Sequence, residues 1–294
     1  MVFLVAMSPW ILFSLAKGYS VSTTTPSADD GKFAGSIPQI YERYLVPLIF
    51  EPYAREISRQ VEDFRPAKVL ELAAGTGALT RELVKRLPSE VSIIATDLNQ
   101  PMLDQAMTVG TLRPVEWRQT DATALPFPDH SFDIVVCQFG VMFFRNKIKA
   151  FAEAKRVLRP GGHLIFSTWD HIEKNDMIWT VSRALDVLFA DSPPRFMDRG
   201  PHGYADKDMI ASDLDRAGLP DKSIHISAYS SQAATPRQPA IGYCHGSPLR
   251  LEIEAQGPTA LTEATEVAAA ALEERFGPGP IAGRVHAYVV VASA

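Results

Sequence analysis

One stretch decides the fold: Val69-Leu70-Glu71-Leu72-Ala73-Ala74-Gly75-Thr76-Gly77-Ala78-Leu79-Thr80. Its apolar beginning predicts a short buried strand, and Leu79, Leu83 and Leu87 then recur at helical spacing. Between strand and helix, residues 73–77 carry no bulky side chain, so backbone N–H groups there can approach a ligand closely. The stretch therefore predicts a strand, a binding loop and a helix whose N-terminus lies behind that loop.

An acidic residue follows at the distance expected for a nucleoside site. Asp97 stands twenty-two positions after Gly75, at the end of a second apolar run over residues 91–96. A carboxylate there can accept hydrogen bonds from both hydroxyls of a ribose held over the loop. The alternative role of Asp97 is that of a helix N-cap ahead of Pro101.

Two side chains argue against a dinucleotide at this loop. Thr80 replaces the third glycine of the dinucleotide pattern, and Glu71 would repel a pyrophosphate but suits a ligand with an ammonium group. An acid followed by a Gly-x-Gly loop resembles the first motif of the class I S-adenosylmethionine-dependent methyltransferases. The resemblance implies S-adenosyl-L-methionine as the cosubstrate, a nucleoside with a cationic amino-acid tail and no phosphate, and S-adenosyl-L-homocysteine as the product.

Apolar runs and helical patterns alternate regularly from residue 68 onward. Strands are predicted over residues 68–72, 91–96, 115–118, 132–138 and 163–168, with helices over 78–87, 101–109 and 147–158 between them. Such alternation is typical of a parallel sheet with helices on both faces. Two more strands are predicted over residues 224–229 and 285–291, and in the resembled family the last strand runs antiparallel. We therefore expect an α/β fold with a doubly wound, Rossmann-like, seven-stranded and mostly parallel sheet.

Two further motifs narrow the resemblance to one group of the family. The turn Val157-Leu158-Arg159-Pro160-Gly161-Gly162-His163-Leu164 is very similar to that of small-molecule methyltransferases of the ubiquinone/menaquinone-biosynthesis type, also called methyltransferase type 11. Residues 124–133 match the same group closely. The resemblance is strong from residue 68 to residue 168, and the flanks follow it only in outline.

The chain divides into five predicted segments. Residues 1–35 are an apolar extension, uncharged over residues 1–16, with a flexible linker, and residues 36–66 are a helical lid interrupted by prolines. Residues 67–170 form the cosubstrate-binding core, residues 171–222 a helical insertion that walls the acceptor pocket, and residues 223–294 the strands and helix that complete the sheet. Residues 1–16 resemble a signal-peptide core but lack its charged leader and are too short for a comfortable membrane span.

The cosubstrate site follows from the ends of the strands, since ligands of doubly wound sheets lie there. The residues that the resemblance assigns to S-adenosylmethionine are Glu71, Ala73, Gly75 and Gly77 for the amino-acid tail, Asp97 for the ribose, and Leu98, Met102, Asp121 and Ala122 for the adenine. Gln138 is expected beside the transferable methyl group, and Tyr41 and Tyr44 are expected in the lid. No metal ligands are predicted, because the seven histidines fall at scattered spacings.

The sequence says less about the part of the site that would hold the methyl acceptor. Side chains that can form its walls are Phe143, Phe144, Trp169, His171, Phe196, Met197, His202 and Tyr204. The implied mechanism is direct in-line displacement of the activated methyl group, in which the protein aligns the acceptor and excludes water. Gln138 and His171 are the predicted catalytic residues, and His202 is a second choice of base for a hydroxyl acceptor.

Composition restricts the partners. The net charge is −5 and no lysine or arginine block occurs, which disfavours a nucleic-acid substrate. The two cysteines provide no disulfide framework, so we expect reduced thiols in a cytoplasmic protein without a stable membrane span. A small-molecule acceptor and a monomer or homodimer are predicted. Two alternatives remain open: a non-catalytic scaffold that binds S-adenosylmethionine, and a nicotinamide-dependent oxidoreductase.

Overall fold

The computed structural model describes residue 31 and residues 33–294. The predicted apolar extension over residues 1–16 and most of the predicted linker lie outside these residues. The division of the chain into five segments stays a prediction.

A single mixed sheet forms the centre of the described chain. Its strands are β1 (Lys68–Glu71), β2 (Ser92–Asp97), β3 (Glu116–Gln119), β4 (Phe132–Gln138), β5 (Leu158–Trp169), β6 (Lys222–Ala233) and β7 (Ile281–Ser293). The order across the sheet is β3-β2-β1-β4-β5-β7-β6. Neighbours from β3 to β5 pair in parallel, and β7 pairs antiparallel with both β5 and β6. The predicted seven-stranded sheet with an antiparallel last strand is confirmed.

Helices cover both faces of this sheet. They are α1 (Ile37–Ile40), α2 (Glu51–Asp63), α3 (Ala78–Arg86), α4 (Gln100–Val109), α5 (Lys147–Val157), α6 (Asp176–Leu188), α7 (Phe196–Arg199), α8 (Lys207–Arg216), α9 (Arg237–His245), α10 (Leu249–Glu254) and α11 (Ala260–Phe276). Alternate residues of a strand point to opposite faces. Val69 thus packs in one core with Ile57 and Leu83, whereas Leu70 packs in the other with Phe151. This two-sided burial explains the nearly continuous apolar runs of β1 and β4.

The N-terminal helical segment is continuous, so the expected interruption by prolines is wrong. A π-helix over Tyr41–Phe50 joins α1 to α2 and contains Pro47. Proline lacks an N–H group and normally breaks an α-helix. Here the wider hydrogen bonding of the π-helix, such as Glu51 N–H to Val46 O, carries the chain past it.

Two other predictions near the ends of elements need correction. Residues 158–162 do not form a free turn after α5 but the first part of β5, where Gly161 N–H donates to Ala294 O.

The region before β7 contains α9 and α10 as well as the predicted α11. The first of these short helices, α9, contains Pro239 and Gly242, which weaken the helical pattern, and α10 is only six residues long. Gly242 nevertheless fits α9, because an added Cβ would lie 3.0 Å from Leu45 on the π-helix.

Candidate active site

A cavity of about 660 Å³ opens at the carboxyl ends of the parallel strands. Glu71, Asp97 and Gln138 line it from the ends of β1, β2 and β4, and Trp169 lines it from the end of β5. This is the edge at which the strand order reverses between β1 and β4, where open α/β sheets bind their ligands.

The loop after β1 reaches the cavity through an unusual backbone. Ala73, Gly75 and Gly77 all have positive φ, at 51°, 58° and 82°. Such angles favour glycine, which explains Gly75 and Gly77, whereas Ala73 adopts one although it carries a Cβ. The Gly75 N–H donates to Asp97 Oδ2 at 2.9 Å, and the Ala74 N–H donates to the Thr96 carbonyl. The loop is therefore held in place by the end of β2.

Asp97 is a fixed, buried carboxylate. Its side chain is 7% exposed, and Oδ1 accepts from the Asn99 backbone N–H at 2.8 Å and from the Asn99 amide at 3.3 Å. Burial raises the pKa of Asp97, and these N–H groups oppose that shift. The N-cap position of α4 belongs to Asn99, so the structure does not give Asp97 the alternative role of N-cap.

Glu71 is almost completely buried, at 1% exposed, and borders the same cavity. The Thr80 hydroxyl donates to Glu71 Oε2 at 2.7 Å. Burial raises the pKa of Glu71 to about 8, although the Thr80 hydrogen bond and the nearby Arg81 lower it. The threonine that replaces the third glycine of the dinucleotide pattern is therefore the hydrogen-bond partner of the acid.

The adenine side of the predicted site is also assembled. Leu98, Met102, Asp121 and Ala122 line the cavity, with Leu98 exposed by 59% and Met102 buried. The hydroxyl oxygens of Thr76 and Thr120 are buried there without a protein partner. Buried polar atoms are normally hydrogen-bonded, so these two hydroxyls fit a polar ligand or water in the cavity. The residues present thus suit a nucleoside.

Three of the predicted site residues are not brought into the cavity. Gly77 lies behind the loop, and its N–H donates to the Ala74 carbonyl. Tyr44 points to a separate surface depression with Arg43 over its ring, whereas Tyr41 lines the cavity and stacks on Phe50. His171 is exposed, because it begins a short 3₁₀ turn outside the cavity. The structure therefore does not place it beside an acceptor.

The acceptor side is largely aromatic. Six of the residues predicted for this side line the cavity, namely Phe143, Phe144, Trp169, Phe196, Met197 and His202. Tyr204 was also predicted there, but it lies outside the cavity and its hydroxyl donates to Asp213. Sequence reasoning missed further lining residues, which are Phe33, Leu45, Ile49, Phe50, Phe139, Ile178, Tyr243 and Val285. They come from five distant parts of the chain, and their only signal was apolar character.

Gln138 lines the cavity from the end of β4. Its amide Nε2 donates to the Phe50 carbonyl at 3.1 Å, and its Oε1 is buried without a partner. The neighbouring Phe139 has a positive φ of 53° and stacks on Trp169 with ring centroids 3.7 Å apart. A stacked pair of aromatic rings and one amide oxygen without a partner therefore belong to residues that line the same cavity.

Residue 31 and residues 33–294 contain neither a cluster of metal ligands nor a membrane-spanning helix. No group of three or more histidine, cysteine or acidic side chains there is arranged to hold a metal ion. No helix in that part of the chain is both long and apolar enough to span a bilayer.

Solved structures share this fold. The YcgJ protein of Bacillus subtilis is 15% identical and has a TM-score of 0.53, with 82% of this chain and 98% of that chain covered. A candidate methyltransferase from Bacillus halodurans is 19% identical, with a TM-score of 0.51 and coverage of 81% and 97%. At such low identity the likeness shows the fold alone.

The sequence comparisons identify the family. The model of the methyltransferase domain matches residues 70–166. The ubiquinone/menaquinone biosynthesis C-methyltransferase UbiE of Hahella chejuensis is 32% identical over 170 residues, which cover 52% of this chain and 67% of that protein. UbiE of Burkholderia orbicola is 33% identical over 164 residues, with the same coverage. UbiE of Hydrogenovibrio crunogenus is 38% identical over 111 residues, which cover 36% of this chain and 44% of that protein. The chain belongs to the class I S-adenosylmethionine-dependent methyltransferases of the UbiE type.

Proposed function

We propose that the chain binds S-adenosylmethionine at the loop end of the cavity and a small aromatic acceptor at the other end. Family membership makes it an S-adenosylmethionine-dependent enzyme that methylates a small molecule. One observation carries the finer proposal: a single cavity is lined by the carboxylates Glu71 and Asp97, by a group of aromatic side chains and by Gln138. A donor and an acceptor can therefore meet without leaving the protein.

The residues that would hold the donor are those of the loop and the neighbouring strand ends. Asp97 would accept from the ribose hydroxyls, and Glu71 would face the ammonium group. Leu98 and Met102 would contact the adenine. When bound, S-adenosylmethionine supplies a methyl group on a sulfonium, which is already activated for displacement. S-adenosylhomocysteine would be the product.

The chain's own contribution would be alignment and exclusion of water. The stacked Phe139 and Trp169 present a flat apolar surface, and Phe50 and Phe143 border the same compartment. An aromatic ring held against such walls has few orientations, which raises the frequency of in-line attack. The compartment is too apolar to favour a highly charged acceptor.

The relatives suggest which acceptors to test first. They are named C-methyltransferases of ubiquinone and menaquinone biosynthesis, and the aromatic compartment suits a ring of that kind. We propose a hydroxylated aromatic acceptor, methylated on carbon or oxygen. A cytoplasmic location and a monomeric or homodimeric state stay predictions. An oxidoreductase is not favoured by the comparisons.

The test is transfer of labelled methyl from S-adenosylmethionine into a lysate of the source organism. We expect label in the solvent-extractable small molecules and none in precipitated protein or nucleic acid, since a cavity of about 660 Å³ suits a small molecule. Protein with Asp97→Ala serves as the control and should leave the extract unlabelled. Confirmed donor binding without transfer into any fraction would favour the non-catalytic scaffold instead.

We also expect the affinity for S-adenosylmethionine to rise with pH. The pKa of Glu71 is about 8 because of burial, so its carboxyl is mostly neutral at pH 6 and cannot pair with an ammonium group. Between pH 6 and pH 8 it ionises, and affinity should rise by up to about tenfold per pH unit. Isothermal titration calorimetry at pH 6, 7 and 8 measures this slope.

The matched control for that slope is Glu71→Gln, which removes the titrating group. The amino group of the donor itself loses its proton near pH 8, so the ratio of the two proteins' affinities is the relevant quantity. The free energy of unfolding without ligand should fall as pH rises from about 4.5 towards 8, since Glu71 ionises at lower pH when unfolded. If the donor affinity of wild type and of Glu71→Gln changed with pH in the same way, Glu71 would not be the group that binds the ammonium of the donor.

A further inference from the structure

A tightly built loop presents His202 to the cavity. The backbone N–H of His202 donates to the Met197 carbonyl at 3.0 Å, and the Thr168 hydroxyl donates to the Tyr204 carbonyl at 3.1 Å. A Cβ added to Gly203 would lie 2.2 Å from the Arg199 carbonyl oxygen, so the backbone is closely packed there. The loop therefore fixes the position of the histidine ring.

The hydrogen bonding of the ring determines which nitrogen is free. His202 Nδ1 lies 2.7 Å from the Asp170 carbonyl oxygen. A carbonyl only accepts, so Nδ1 carries the hydrogen and Nε2 carries a lone pair in the neutral ring. No described residue bonds to Nε2. The side chain is half-buried and lines the cavity, so Nε2 is a free hydrogen-bond acceptor.

The groups around the ring keep it neutral and oriented. Burial lowers the pKa of His202 to about 4, although the Asp170 carbonyl and the carboxylates of Glu173 and Asp170 oppose this shift and His171 adds to it. Asp170 is itself fixed, because its carboxylate accepts from the Tyr288 hydroxyl at 3.1 Å and from the His171 backbone N–H at 2.7 Å. The acceptor nitrogen is thus available over the whole physiological pH range.

Gln138, which lines the same cavity, also has one polar atom bonded to a backbone carbonyl and one acceptor atom without a partner. Its Nε2 is used by the Phe50 carbonyl, and its Oε1 has no partner. His202 Nε2 and Gln138 Oε1 are therefore two acceptor atoms of cavity-lining residues that have no partner among the described residues. A substrate that carries an O–H or N–H satisfies them, whereas a carbonyl oxygen would face a lone pair.

We propose that His202 is a catalytic residue: its Nε2 accepts the hydrogen of a hydroxyl group on the acceptor and takes up that proton when the methyl group is transferred. This inference rests on the proposed function. In an oxygen methylation, a lone pair of the hydroxyl oxygen forms the new O–C bond, and the S–C bond breaks with its electron pair left on sulfur. The proton of the resulting protonated ether passes to Nε2 and then to solvent. A protonated ether is a strong acid, so a weakly basic imidazole is sufficient.

The experiment compares two probes that differ by one hydroxyl group, 1-naphthol and naphthalene. Binding to the full chain is measured by titration, together with S-adenosylmethionine binding as a check of folding. We expect wild type to bind 1-naphthol about tenfold more tightly than naphthalene. His202→Phe should reduce that ratio to about one while donor affinity stays unchanged. His202→Gln, whose amide oxygen can accept, should restore part of it.

Several outcomes would overturn the inference. One is a wild-type ratio near one, and another is an unchanged ratio in His202→Phe. Loss of the ratio in His171→Phe but not in His202→Phe would return the role to the exposed histidine. If His202→Phe does not fold, ¹⁵N NMR of wild type decides: the Nε2 resonance should shift on addition of 1-naphthol and not of naphthalene. Failure of wild type to bind S-adenosylmethionine would instead contradict the proposed function.

Discussion

Asp97→Ala should lower the affinity for S-adenosylmethionine by at least about a hundredfold. The proposed role of this carboxylate is to accept hydrogen bonds from both ribose hydroxyls, and bonds to a charged group contribute about 1.5–3 kcal/mol each. The same substitution removes the acceptor of the Gly75 N–H, which lies 2.9 Å from Oδ2. Both the ribose contact and the shape of the loop are then lost. Isothermal titration calorimetry at pH 7.5 gives the change directly.

Two further variants separate these contributions. Asp97→Asn keeps one oxygen that can accept from Gly75 but loses the negative charge and one acceptor, so we expect a smaller loss of about tenfold. Asp104→Ala removes an exposed acid on α4 that bonds only to Gln100 among the described side chains, and it should change nothing. Unchanged donor affinity in Asp97→Ala would show that the donor binds elsewhere.

Gly140→Ala should have the second large effect, on both stability and donor binding. A Cβ at this position would lie 2.4 Å from Ala73 Cβ and 2.7 Å from Cys137 Sγ. Overpacking of this kind costs about 1–3 kcal/mol and shifts the backbone. Ala73 belongs to the loop of the proposed site, so its displacement should also weaken donor binding, by about tenfold. Thermal unfolding and calorimetric titration measure the two changes.

A double variant tests the mechanism of that effect. Ala73→Gly removes the nearer clashing atom, and glycine suits the positive φ of 51° at this residue. Ala73→Gly with Gly140→Ala should therefore recover part of the lost stability, with the contact to Cys137 accounting for the rest. Additive losses in the double variant would show that the two positions do not press on each other.

The part of the cavity that we propose for the cosubstrate was predicted from local signals in the sequence. A strand, small residues, a helix and Asp97 follow one another within about thirty positions, and parallel pairing brings the strand ends together. The role of Thr80 was not predictable: the sequence shows only that a glycine is replaced. Its hydroxyl meets Glu71 because the first turn of α3 folds back over the end of β1.

The acceptor half was less predictable because distant segments form it. Tyr41 and Tyr44 are three residues apart, and on an α-helix they would share a face. The π-helix turns more widely and separates them, so only Tyr41 reaches the cavity. Likewise, nothing in the spacing of His171 and His202 tells which one faces inward. The backbone path of residues 199–204 is what places His202, and not His171, at the cavity.

The position of the polar groups at the loop end has a consequence for turnover. Glu71, Asp97 and the loop would meet the amino-acid tail and the ribose, which the donor retains after it has lost its methyl group. These contacts would hold spent and fresh donor almost equally well. S-adenosylhomocysteine would then compete with fresh donor for the site, and the enzyme would slow down wherever a cell allows that compound to accumulate.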